Sequence, residues 1–152
     1  MDIGLNVNRT LDIGACLHVL TDAEIFDAIS EDGAKASDLK IDVMQDVWLT
    51  IETDNDLIGV VQLKRMFSKC FDCHIHILPL YRKEHSKEAG NEILKWCEDN
   101  VKGSTLTAMV PFYCENVGRF LLSFGFNNDG VLPKAWLKND KLNDMFIFSR
   151  GI

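Results

Sequence analysis

The hydrophobic pattern changes period several times along the chain, and each change marks an element. Ile13 to Leu20 is a short, mostly apolar run that predicts a first strand. Thr21 and Asp22 then offer caps for a helix through Ile25, Phe26 and Ile29 that ends near Gly33. The polar stretch Glu31 to Asp38 predicts a loop, and residues 34–46 leave room for a second short helix. Val47 to Thr53 sets Val47, Leu49 and Ile51 against Trp48, Thr50 and Glu52, which is the period of a strand. Asp54-Asn55-Asp56 has turn chemistry, so Leu57 to Leu63 returns as the second arm of a hairpin.

Cys70 to Leu80 is the most informative run. It places Phe71, Cys73, Ile75 and Ile77 on one face of a strand and Asp72, His74 and His76 on the other, with Pro79 limiting pairing at its end. Ala89, Ile93, Cys97 and Val101 recur every four residues, predicting a helix over Ser86 to Val101 closed by Lys102-Gly103. Leu106 to Val110 is a further strand stopped by Pro111. A short helix from Glu115 or Asn116 carries Val117, Phe120 and Leu121 and ends before Gly125. Asn127 to Gly130 is a turn, and Val131 to Leu137 and Met145 to Phe148 are the last strands. The order is β-α-(α)-β-β-β-α-β-α-β-β. It predicts an α/β (α+β) class fold: a mixed, mostly antiparallel sheet of six to seven strands with a central βαβ crossover and flanking helices.

Composition narrows the classes. At 152 residues the chain predicts one continuous domain, 1–152, able to bury roughly two-thirds of its unfolded surface. With 47% hydrophobic residues, disorder is excluded. The net charge of −7 argues against direct nucleic-acid binding and favours a cationic partner. No apolar run approaches the roughly 18 residues of a membrane span. The start, Met1-Asp2-Ile3-Gly4, lacks the form of a signal peptide, which predicts a cytoplasmic protein. Cys16, Cys70, Cys73, Cys97 and Cys114 are odd in number, as expected of reduced, buried thiols.

One arrangement carries a family resemblance. The strand His74-Ile75-His76-Ile77-Leu78-Pro79 is followed by Leu80-Tyr81-Arg82 and a helix ending Ile93-Leu94-Lys95-Trp96. Val110-Pro111, Asn116-Val117-Gly118-Arg119-Phe120-Leu121 and Phe124-Gly125-Phe126 come next. In this order the chain resembles the GCN5-related N-acetyltransferase (GNAT) superfamily over nearly its whole length. Its motifs match in part, in the degenerate manner of small GNAT-like proteins from tailed bacteriophages. The resemblance implies acetyl-CoA as cosubstrate and a pyrophosphate loop at the helix start, formed here by Arg82, Lys83, Glu84, His85, Ser86 and Lys87. It implies that Leu78 and Leu80 pair their backbone with the pantetheine arm, that the next strand splays away at Val110-Pro111, and that Asn116 helps hold the arm. His85 and Lys87 stand where the family has two small residues. They either crowd the phosphate or, with Arg82 and Lys83, add cationic contacts to it. The position of the family's proton-donating tyrosine falls near Leu121, leaving Tyr113 as the nearby substitute.

Acyl transfer to an amine needs a base for the amine proton and a polarised thioester carbonyl. The base candidates are Asp72, His74 and His76, with His76 nearest the expected thioester, and a backbone N–H near Leu78 is the polarising group. The alternative is that these histidines only hydrogen-bond beneath a helix or loop. Cys70-x-x-Cys73 with His74 and His76 has metal-ligand composition, but a strand sends Cys73 and the histidines to opposite faces, so no metal is expected. Trp96 and Trp136 are expected in packing, and Phe112-Tyr113 beside the acceptor groove.

Three functions remain. The first is an acyl-CoA-dependent N-acyltransferase moving acetyl to an amine on a small molecule or protein. The second is a catalytically inactive GNAT-fold protein with a structural, assembly or regulatory role, in the virion or host cytoplasm if phage-encoded. The third is a CoA-binding module without turnover. Met145 to Phe148 is apolar on both faces, which suggests a homodimer contact or a virion assembly partner there.

Overall fold

The computed structural model describes residues 4–152. The elements are β1 (Asn6–Arg9), α1 (Ile13–Leu20), α2 (Ala23–Ile29), β2 (Val47–Glu52), β3 (Leu57–Phe67), β4 (Cys70–Ile77), α3 (Pro79–Asn100), β5 (Thr105–Pro111), α4 (Glu115–Ser123), β6 (Asn127–Lys138) and β7 (Lys141–Gly151). One 3-10 turn, Ala36–Asp38, is all the helix formed within residues 34–46. The strands make a seven-stranded sheet in the order β1-β2-β3-β4-β5-β7-β6. Every neighbouring pair is antiparallel except β4 and β5, which are joined by the α3 crossover.

The expected strand Ile13–Leu20 is helix α1. Asp12 caps it by accepting from Ala15 N–H at 3.1 Å, and Cys16, Val19 and Leu20 bury one helical face. A short apolar run fits either element, and here the cap decides. The sheet instead begins at β1, a four-residue strand too polar for its pattern to show. The strand expected to reach Leu80 ends at Ile77. Helix α3 starts at Pro79, seven residues before the expected Ser86, because proline at the first helical position has no N–H to lose and its φ already suits a helix.

The two sheet faces pack differently. Leu49, Ile51, Val61, Phe71, Cys73, Ile77, Leu106 and Phe148 form the main core with Ala89, Ile93 and Cys97 of α3 and Leu121 of α4. On the other face Trp48 and Val60 meet Cys16, Val19, Leu20 and Ile25 of α1 and α2. Gly90 permits the close approach of α3 and α4, since a Cβ there would lie 2.3 Å from the Phe124 ring. Asn127–Gly130 and the polar run after Leu137 both belong to the β6–β7 hairpin, whose turn residues Asn139 and Asp140 have φ of 54° and 59°. Met145 to Phe148 lies in β7, paired with β5 on one side and β6 on the other. It offers no edge. The free edge on that side is β6, with Val131 and Leu132 exposed.

Candidate functional site

Strands β4 and β5 pair only at Cys70–Thr105, Phe71–Leu106 and Asp72–Thr107. Beyond that point β4 continues to Ile77 against β3, and β5 continues to Pro111 against β7. The sheet therefore forks, and it does so after Thr107, earlier than the expected Val110-Pro111. Hydrogen-bond direction alternates along each strand. Leu78 N–H donates to Ile58 O on β3 at 2.8 Å, and Thr105 N–H donates to Lys69 O at 2.8 Å. By that alternation Ile75 and Ile77 turn their main-chain groups into the fork from one side and Met109 from the other. Arg82 Nε takes Ile77 O at 2.8 Å. Ile75 and Met109 turn their N–H and C=O groups into the gap between the strands. The Leu78 N–H itself is taken up by Ile58 O, so a polarising donor near it falls to its neighbours on β4.

The fork's apex carries the titratable cluster. Asp72 is the last β4 residue paired to β5, and its Oδ1 accepts from Thr107 Oγ1 at 3.0 Å. Its Oδ2 lies 2.8 Å from His74 Nε2. Burial alone would raise the Asp72 pKa. The hydrogen bond and charge of His74, with Thr107 and Lys64, outweigh it and hold the carboxyl below its ordinary value. The carboxylate thus fixes the imidazole as the Nε2–H tautomer and leaves Nδ1 with a lone pair. The His74 side chain is 39% exposed, so a substrate can reach it.

His76 stacks on His74 with ring centroids 6.4 Å apart but lacks this partner. Burial, then the neighbouring His74 and Arg82, pull its pKa down to about 3. Burial thus disfavours the protonated form that His76, a base candidate, would pass through. Cys73 lies in the core on the opposite face from both histidines, where burial raises its pKa. No group of three metal-ligating side chains is assembled among the described residues.

The expected pyrophosphate loop is helix. Arg82, Lys83, His85, Ser86 and Lys87 all lie within α3. Arg82 is held by Ile77 O and, through Nη1, by Glu24 Oε1 at 2.9 Å. Lys83 and Lys87 point into solvent, and His85 and Ser86 are half-buried. His85 Nδ1 is buried without a partner. Leu80 is 84% exposed at the first turn of α3 rather than paired in a strand. Asn116 is exposed on α4, and its Oδ1 accepts from Arg119 of the same helix. Tyr113 is separate from the histidines in its contacts. Its hydroxyl accepts from Trp136 Nε1 at 2.9 Å, which leaves its own proton free to be donated.

The pattern gave no sign of a contact between the tip of the β6–β7 hairpin and the end of α2. Lys138 Nζ, at the tip of the β6–β7 hairpin, bonds Asp27 O at 2.6 Å, Asp27 Oδ1 at 3.1 Å and Ser30 O at 2.8 Å. Asn139 and Asp140 N–H groups both bond the Asp32 carboxylate, and these bonds lower its pKa. The signal available was Asn139-Asp140, two residues tolerant of positive φ that mark a tight hairpin.

Residues 9–148 match the model of a family described as "Protein of unknown function (DUF2824)". The chain belongs to that family. No curated protein matches the sequence of this DUF2824 member. Its structure is similar to the crystal structure of spermidine N-acetyltransferase from Vibrio cholerae in complex with CoA and spermine. The TM-score is 0.79 at 16% identity, covering 98% of this chain and 96% of that one. It is also similar to the microcin C7 self immunity acetyltransferase MccE in complex with acetyl-CoA and AMP. There the TM-score is 0.61 at 20% identity, covering 71% of this chain and 62% of that one. This DUF2824 member therefore has the GNAT fold, as the order of its elements suggested.

Proposed function

We propose that the protein is an N-acyltransferase that moves an acyl group from a coenzyme A-type thioester to an amine. The observation that carries this reading is the fork: two strands part just beyond a carboxylate–histidine pair and leave main-chain groups free on both sides. The pantetheine arm, an extended chain with two amides, fits such a gap as an added strand. Ile75 N–H polarises the thioester carbonyl. The acceptor's proton passes to His74 Nδ1 as its nitrogen attacks. The C–N bond forms, the C–S bond breaks, and Tyr113 O–H protonates the departing thiolate. The solved relatives named above act on spermidine or bind acetyl-CoA, which agrees with this reading. Eleven of the 23 acidic residues fall between 22 and 56, against two lysines, a balance suited to a cationic acceptor.

Thiol release from acetyl-CoA, measured against a panel of polyamines, aminoglycosides and lysine peptides, tests the proposal. His74→Gln should lower kcat/KM by about 100-fold or more, and Tyr113→Phe by about tenfold, with donor affinity unchanged. A His74→Gln variant as active as the parent would refute the assignment. A second reading, a silent GNAT-fold protein serving assembly or regulation, is favoured by one observation: helix occupies the segment where a phosphate loop was expected. Absence of both thiol release and a thermal shift with acetyl-CoA would support that reading instead.

A further inference from the structure

The diphosphate end of coenzyme A does not fit the start of α3, whereas the fork fits its arm. A backbone cradle for diphosphate needs several unpaired N–H groups turned inward. Here Pro79 has no N–H and Tyr81 N–H bonds Leu78 O at 2.9 Å, so the first turn of α3 leaves only the N–H groups of Leu80 and Arg82 unpaired, two residues apart on a helix rather than gathered in a loop. From Lys83 onward each N–H belongs to the carbonyl four residues earlier in the helix. Arg82, the cation closest to the strand end, is taken up by Ile77 O and Glu24. The side chain presented at this turn is Leu80, apolar and 84% exposed. The remaining cations, Lys83 and Lys87, sit on the solvent face and attract a phosphate only through screened charge.

We infer that this protein recognises its acyl donor through the pantetheine arm alone, so that short pantetheine thioesters serve it about as well as the full coenzyme. The inference rests on the proposed acyl transfer and adds the donor class. The fork supplies directed main-chain bonds to the arm's amides. The nucleotide trails over the exposed first turn of α3, where two separate main-chain N–H groups and no free cation replace a cradle. Directed, charge-assisted N–H bonds distinguish coenzyme A from pantetheine by orders of magnitude where they exist, whereas two surface lysines change affinity only a few-fold.

Calorimetric titration of the full chain with coenzyme A, pantetheine and adenosine 3′,5′-bisphosphate provides the test. The expected result is that coenzyme A and pantetheine bind within about tenfold of each other and that the bisphosphate does not compete. The Lys83→Glu/Lys87→Glu variant should keep its pantetheine affinity and alter its coenzyme A affinity by less than about threefold. Coenzyme A binding far more tightly than pantetheine, or competition by the bisphosphate, would overturn the inference and leave the acyl-transfer reading standing. Failure of both thiols to bind would overturn both. Where an acceptor is in hand, kcat/KM with S-acetylpantetheine and with acetyl-CoA should agree within about tenfold, and a much larger gap would contradict the binding result.

Discussion

Asp72 and the two histidines share one face of β4, yet their surroundings give them different chemistry. Thr107 and His74 each bond one oxygen of Asp72, so its charge is kept and the imidazole is oriented. His76, two residues further on, is half-buried opposite Val60 of β3 with no carboxylate to stabilise its protonated form. Its pKa falls from 6.5 to about 3 on folding. Between these values the unfolded chain binds a proton that the folded chain does not, so stability rises with pH across the window. The contribution is present above 6.5 and is lost as pH falls toward 3. The melting temperature should drop between pH 7 and pH 5, before the carboxylates titrate, and His76→Gln should flatten that slope. A parent protein with no slope in this range would contradict the burial argument. The sequence put the three side chains on one face correctly, because strand alternation fixes that. The difference between His74 and His76 was not legible, because how far each ring is covered depends on neighbours that no local pattern records.

At the level of elements, the cap and the first helical residue decided what the hydrophobic period could not. Asp12 turns Ile13–Leu20 into a helix, and Pro79 starts α3 directly after β4. Elements with strong period, such as the β2–β3 hairpin, the inward face of α3 and the short α4, lie close to where the pattern put them. The β4–β5 fork was expected from the family resemblance, and its opening differs by a few residues. The contact between the β6–β7 tip and the loop after α2 was invisible, since it joins polar residues more than 100 positions apart. That contact is specific. The Lys138 side chain is only 15% exposed and bonds two backbone carbonyls and a carboxylate. Lys138→Met should cost about 1–3 kcal/mol in chemical denaturation and speed amide exchange over residues 27–32. Unchanged stability and exchange would mean that the latch contributes nothing and that the segment after α2 is held elsewhere.

Over the whole molecule, a seven-stranded sheet parts between β4 and β5 beyond Thr107, and the candidate chemistry is gathered at that parting. The two faces of the sheet divide the work. The apolar core under α3 and α4 holds the strands in place. The opposite face presents Asp72 and His74, bordered by the acidic segment that includes α2. Such a fork is costly unless something completes it, because free main-chain groups near a core need partners. An arm carrying amides supplies them. The most direct measurement is a two-dimensional amide NMR titration of the full chain with coenzyme A. The amides of Ile75 and Met109 should shift first and saturate together, with their flanking residues in β4 and β5 following. Shifts confined to other elements, or no shift at all at saturating ligand, would contradict the claim that this fork is a donor site.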